Sequence, residues 1–319
     1  LDKIWKNDLP ERLDPMTSKE LRQSLRRGSF VWPFIGIQVL AAVAMAAEFQ
    51  IGATSADAKF AGMLNFWLLG NSGPFWAVCG VICVLIMPMA GVTLMGQELE
   101  EGNHELLLLT QITRWKVVKG KFLALWGLCF LTFLSMLPFV VVRYLVGGVE
   151  WFYELACATT VLGGSAMICA GAIGASAFLG TGKRIGVLAL YVASTAFTCG
   201  IPLMASAGVG GGVGWFYHLT AICAVAYGVV GGLALGRSRL RLGIHAYEVK
   251  PGGIMIGLML FAPFVSGMIT AVTCGTCGFA ALLLLILMAM RLDRTPQAPK
   301  WAQHNALPNV PVQQAPPSP

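Results

Sequence analysis

The chain has 319 residues, of which 56% are hydrophobic and only 12% charged, and its formal net charge is +7. An average soluble chain carries roughly 25% charged residues, so a water-soluble globular enzyme is excluded, and the apolar residues gather into runs near the ~20 residues that cross a bilayer. The basic excess sits at the ends of those runs, which makes lipid headgroups its partner and argues against nucleic acid.

Residues 1–15 are charged and are expected to form an amino-terminal cytoplasmic segment; no signal peptide is visible in them, so the first apolar run is expected to act as its own insertion signal. Residues 16–28 follow as an interfacial amphipathic helix. Thr17 and Glu20 have capping-box spacing, Met16 and Leu21 staple spacing, and Gly28 can end the helix. Leu21 and Leu25 share a face, while Lys19, Arg22, Arg26 and Arg27 can reach lipid phosphates.

Eight apolar runs then read as spans, at about residues 31–48, 75–96, 122–142, 155–178, 185–206, 217–236, 254–271 and 274–291. The last two are separated because 38 residues at 1.5 Å each give roughly 57 Å, nearly twice the ~30 Å hydrocarbon core. A turn near Cys274–Gly278 makes them a hairpin. With the amino terminus inside, 20 of the 22 basic residues fall on the cytoplasmic side, and Lys59 and Arg143 are the exceptions. Both termini are therefore expected in the cytoplasm. The organisation is an all-α polytopic transmembrane bundle: a six-span core over 29–236, a basic cytoplasmic loop over 237–253, a hairpin over 254–291 and a Pro-rich, disordered tail over 292–319.

The most informative stretch is the cytoplasmic loop over 98–121. Glu98, Glu100, Glu101 and Glu105 crowd around Gly102 and Asn103, and Asn103 can cap a short helix. Leu106, Leu107, Leu108 and Leu109 then place four apolar side chains in a loop that should be wet, so they must pack on a membrane face or a partner. Thr113 can cap the next helix, with Trp115 in its first turn and Lys116, Lys119 and Lys121 at the membrane interface.

This segment resembles the permease subunits of type-2 ABC exporters. That family shows an acidic, glycine-containing loop, a Glu-Leu-Leu-Leu run, a Thr-Pro turn, an aromatic residue and a Gly-Lys leading into the third span. Glu100, Gly102, Glu105, Leu106–Leu109, Thr110, Trp115, Gly120 and Lys121 match. Asn103 stands where Thr is usual and Gln111 where Pro is usual. Pro15 and Lys19–Gln23 are similar to the family's amino-terminal Pro-x-x-x-Lys-Glu-Leu-Arg-Gln pattern, and the likeness extends to about residue 236. It implies a permease of the bacterial inner membrane, acting as a homodimer or a heterodimer with a second permease. Glu98, Glu100, Glu101, Gly102, Glu105, Leu106–Leu109 and Trp115 would dock on a separate cytoplasmic ABC ATPase, which would hold the ATP and Mg. The glutamates offer charge pairs at the rim of such an interface and the leucines its apolar centre.

Other chemistries find less support. Gly180-Thr181-Gly182-Lys183-Arg184 lacks the upstream Gly of a phosphate-binding loop and the Ser/Thr after Lys, and reads as a tight turn. Glu48, Glu98, Arg143 and Glu154 lie at span ends, where interface anchoring is the ordinary role. His104, His218, His245 and His304 lack metal-ligand spacing. Gly163-Gly164-Ser165-Ala166, and the pairs Gly171/Gly174, Gly228/Gly231 and Gly232/Gly236, suit close helix packing. Cys274 and Cys277 form a C-x-x-C that packs a turn or, in a redox reading, acts as a thiol pair. A non-transporting scaffold that uses the 98–121 loop to hold another partner is the alternative function. No catalytic residue, cofactor site or metal site is expected in this chain.

Overall fold

A computed structural model describes residues 17, 21, 28–51, 62–100, 114–147, 150–178, 180–208, 213–239 and 253–292. The helices are α1 (Gly28–Ile51), α2 (Phe66–Asn71), α3 (Pro74–Gly80), α4 (Gly91–Glu100), α5 (Arg114–Gly147), α6 (Trp151–Ser176), α7 (Thr181–Gly208), α8 (Trp215–Arg239), α9 (Gly253–Val272) and α10 (Gly278–Leu292). A π-helical turn, Val81–Ile86, and a short piece, Met87–Met89, join α3 to α4 in one continuous span.

Among the described residues, six helices are long and apolar enough to cross a membrane: Pro74–Met95, Trp115–Val146, Trp151–Ser176, Thr181–Gly208, Trp215–Ser238 and Met255–Val272. The apolar helices Phe34–Gln50 and Gly278–Arg291 are shorter. Phe197, Met204, Phe261, Phe264 and Val272 project from the outside of the bundle, a surface that only a hydrocarbon solvent accommodates at this scale. The protein is therefore an integral, polytopic, all-α membrane protein.

At the centre lies α6, walled by α8 and touched by α3, α4, α5 and α7. Its small residues let it sit there. A side chain at Gly174 would meet the Gly232 carbonyl oxygen at 2.5 Å, and one at Gly232 would meet the Ala170 carbonyl carbon at 2.5 Å. Contacts advance together from Gly163/Val225 through Gly228/Met167 to Gly236/Gly174, so α6 and α8 run parallel with backbones touching. Without a hydrophobic drive between helices in lipid, such close van der Waals approach is what holds a bundle together. Tyr191 of α7 crosses the seam. Its ring lies over Gly171, and its hydroxyl donates to the carbonyls of Met167 (3.1 Å) and Gly228 (2.6 Å). The glycine pairs in the sequence thus mark true contacts at Gly171, Gly174, Gly228, Gly232 and Gly236, whereas Gly231 meets nothing within 4 Å.

The described helix ends run past the apolar runs. α5 begins at Arg114, eight residues before the run at 122, because hydropathy marks the hydrocarbon boundary and not the end of the helix. Lys121 is buried at 2% exposure, its Nζ donating to the Leu94 carbonyl at 3.4 Å, while Lys119 is exposed. Gly180-Thr181-Gly182-Lys183-Arg184 is a tight turn opening α7: Gly180 has φ +88°, and buried Arg184 donates from Nε to the Phe178 carbonyl at 2.8 Å. α9 and α10 pack together across the turn at 273–277, where Cys274 (φ 50°) and Gly275 (φ 83°) adopt left-handed backbone. That turn lies over the end of α7: a side chain at Gly275 would meet the Ala205 carbonyl oxygen at 2.8 Å.

Candidate functional site

The chain does something between α1 and α3 that its hydropathy does not announce. Gly62 lies against the Tyr217 ring near the start of α8. Leu64 and Phe66 reach Gly163 and Gly164, and α2 then climbs back until Ser72 touches Cys157 at 3.1 Å. Cys157 to Gly164 is about 10 Å along α6, so residues 62–73 form a re-entrant segment dipping to mid-span. Leu64 turns the bottom with φ 61°, and Gly73 turns the top with φ +108°. Non-helical backbone at such depth survives only where protein buries it or a cavity borders it, and both conditions hold. Gly163 and Gly164 are the reason it fits: a side chain on Gly164 would strike the Phe66 ring at 2.8 Å.

A buried ion network clasps the top of this segment. Arg143 of α5 is 2% exposed and donates from Nε to Glu48 Oε1 of α1 at 2.6 Å. Its two Nη groups donate to Glu154 of α6 and to the Ser72 carbonyl. Trp76 of α3, fully buried, donates from Nε1 to the other Glu154 oxygen at 3.0 Å. The Ser72 hydroxyl donates to the Leu68 carbonyl. Gly73 has no room for a side chain, which would sit 2.7 Å from the Glu48 carboxyl carbon. One guanidinium therefore ties α1, α5 and α6 to the re-entrant turn. Its planar fork suits that task because it can serve several acceptors at once.

Interface anchoring is thus corrected for three of the four charges assigned to it: Glu48, Arg143 and Glu154 are buried, and both carboxylates pair with Arg143. Burial of an ion pair is tolerable only with such complementary geometry. Linear spacing (48, 143, 154) gave no sign of the pairing, since each charge sits at the end of a different span.

Below the clasp the span Pro74–Met95 departs from α geometry. Val81–Ile86 is a π turn, and the Met87 amide donates to the Ile82 carbonyl, five residues back. Pro88 supplies the cause: it has no N–H to return to Val84, so the ladder widens by one residue. π turns of this kind recur at functional sites.

The re-entrant segment and the π turn border one open cleft of about 460 Å³, closed behind by α6 and α7. Phe66 and Leu69 form its roof, Val81, Val84 and Leu85 one wall, and Gly164, Met167, Val192 and Thr195 the others. Among the described residues no charged side chain lines it. Its size falls within the roughly 300–1,000 Å³ typical of small-molecule sites. The wall residues lie near the middle of their spans.

Of the residues singled out in the sequence, Glu101, Gly102, Glu105 and Leu106–Leu109 lie outside the described residues, as do Lys19, Arg22, Arg26 and Arg27. Glu98 and Glu100 end α4 as backbone only. Of the interfacial segment only Thr17, Leu21 and Gly28 are described, and Gly28, expected to end that helix, is the first residue of α1; Thr113 is also outside. Trp115 is described: it opens α5 and receives the Arg237 guanidinium of α8 over its ring at 5.6 Å. Cys274 is exposed and Cys277 half-buried, both as free thiols. His218 packs edge-on to Tyr217. Among the described residues no group of three or more His, Cys, Asp or Glu could hold a metal. The sequence pointed to the 98–121 loop; of the cleft and clasp it had read Gly164 as packing and Glu48, Arg143 and Glu154 as anchors, and it had singled out none of Phe66, Leu69, Ser72 and Trp76. No protein-family model matches this sequence, and neither a curated protein nor a solved structure is similar enough to match it.

Proposed function

We propose that this protein is the membrane-spanning permease subunit of an ATP-driven exporter of the type-2 ABC class. The observation that supports transport is the mid-span cleft bordered by a re-entrant segment and a π turn. Discontinuous helices around a mid-membrane site are a recurrent transporter arrangement. ABC coupling rests on the resemblance of the 98–121 loop. In this reading the chain crosses the inner membrane of a bacterium eight times with both termini in the cytoplasm. It works as a dimer, as two copies or with a second permease. It performs no ATP chemistry itself, and a separate ATPase bearing ATP and Mg docks on Glu98, Glu100, Glu101, Gly102, Glu105, Leu106–Leu109 and Trp115. The Arg237–Trp115 contact would then carry movement of that loop into α8, and through the glycine seam into α6.

Co-expression with candidate nucleotide-binding subunits tests this directly. Wild type is expected to capture an ATPase that a Glu100→Lys, Glu105→Lys, Leu107→Asp variant of equal membrane abundance loses. Equal capture by both would move the docking surface elsewhere, and absence of capture by wild type would overturn ABC coupling.

A further inference from the structure

We propose that the mid-span cleft is a binding site for one acyl chain of a bilayer phospholipid, entering sideways between the π turn and α7. The inference concerns the cleft alone and stands or falls separately from ATPase docking.

Three observations specify the occupant. The first is position. Val84 and Leu85 lie midway along Pro74–Met95, Gly164–Ile168 midway along Trp151–Ser176, and Tyr191–Ala196 midway along Thr181–Gly208. All walls therefore open at the depth where a ~30 Å hydrocarbon core contains only lipid tails. The second is chemistry. Thr195 and Tyr191 bring the side-chain hydroxyls of the lining, and that of Tyr191 is already engaged with two carbonyls. A resident water needs two to four polar partners, which this wall does not offer, and a polar solute would leave its hydrogen-bonding groups unmet. The third is the state of the walls. Phe66, Val81, Leu85 and Val192 are substantially exposed around the mouth, so the cleft is open to the bilayer side and not sealed by the bundle. A hydrocarbon chain fills it at no cost in polar desolvation, and it supports the re-entrant helix α2 from the side that α6 does not cover. Leu69 would then be held between that chain and Gly80, against which its Cδ1 already lies within 3.0 Å of where a side chain would start.

Photolabelling decides it. The full-length protein is placed in nanodiscs containing phosphatidylethanolamine with a diazirine at mid-chain, irradiated, digested and mapped by mass spectrometry. Adducts are expected to concentrate on segments 80–85, 164–168 and 191–196, and to fall when unlabelled phosphatidylethanolamine is added. Two cleft-filling variants from opposite walls, Ala196→Trp and Leu85→Trp, should each lower the cleft adducts about tenfold, equivalent to 1.4 kcal/mol of binding. Ala193→Trp adds the same bulk to the exposed surface of α7 outside the lining and should leave them unchanged. Monodisperse elution of each variant separates occlusion from misfolding, and agreement between the two cleft variants guards against the loss of either one. Labelling of the cleft no stronger than that of Phe261, Phe264 and Met268 on the outer face of α9 would overturn the proposal. Labelling of the cleft that survives both tryptophans would do the same.

Discussion

Two regions of this bundle are held together by opposite means. The seam between α6 and α8 depends on side chains that are missing: Gly174 and Gly232 bring backbone against backbone, Gly171 lies under the Tyr191 ring and Gly228 against the Met167 side chain. The clasp beneath the end of α1 depends on side chains that are present and charged: Glu48, Arg143 and Glu154 around the Ser72 carbonyl. The difference teaches where each is fragile. A seam of glycines fails by addition, since nothing can be removed from it. A buried ion network fails by subtraction, because each partner left behind keeps its desolvation cost.

The largest effect is therefore expected at Arg143. Arg143→Ala removes the cation paired with two buried carboxylates, leaving Glu154 with the Trp76 N–H, and takes the donor from the Ser72 carbonyl, which should cost about 3–5 kcal/mol, read as a large fall in melting temperature in detergent. Arg143→Lys should recover only part, since a point-like ammonium cannot present the same fork to Glu48, Glu154 and Ser72. Full recovery by lysine would show that charge, not geometry, holds the re-entrant turn. Next in size is Gly232→Ala, where a single methyl must enter 2.5 Å from the Ala170 carbonyl carbon. Overpacking of this kind costs about 1–3 kcal/mol, and the matched change Gly231→Ala, with nothing within 4 Å, should be nearly silent. If both substitutions behaved alike in the same melting assay, the seam would not be the constraint described. The smallest effect is expected from Tyr191→Phe. It keeps the ring over Gly171 and deletes one hydroxyl shared by two carbonyls, a loss of about 1 kcal/mol. A loss as large as that of Arg143→Ala would mean that the hydroxyl, and not the ring, joins α7 to the seam.

Composition and run length made the membrane class and the placement of most long helices legible, because hydrocarbon burial demands continuous apolar stretches. The same logic hid α2. Six residues, Phe66–Asn71, are too short to register as a span, and a re-entrant segment is recognised only by what it packs against, here Gly163 and Gly164. Those two glycines were visible but read as ordinary helix packing. Charges at span ends looked like headgroup anchors for a comparable reason: pairing between positions 48, 143 and 154 is a property of three helices meeting, and one sequence does not record it. Pro88 was the available signal for the π turn, since a proline within an apolar run must disturb the hydrogen bond to the carbonyl four residues earlier.

That π turn has a mechanical consequence. It stores one surplus residue inside a span that is gripped at its upper end by Trp76 and at its lower end by Gly91, whose missing side chain lets Leu125 and Ala172 press close. Returning the turn to α geometry would pass that residue downward, rotating everything after it by about 100° and shifting it about 1.5 Å. Val92 and Met95, now buried, would swing out of the core, and the backbone leading to residue 100 would turn with them. A helix built in this way would work like a clutch: the upper end stays engaged at Trp76 while Gly91 and the turns below it disengage and seat again one tooth along.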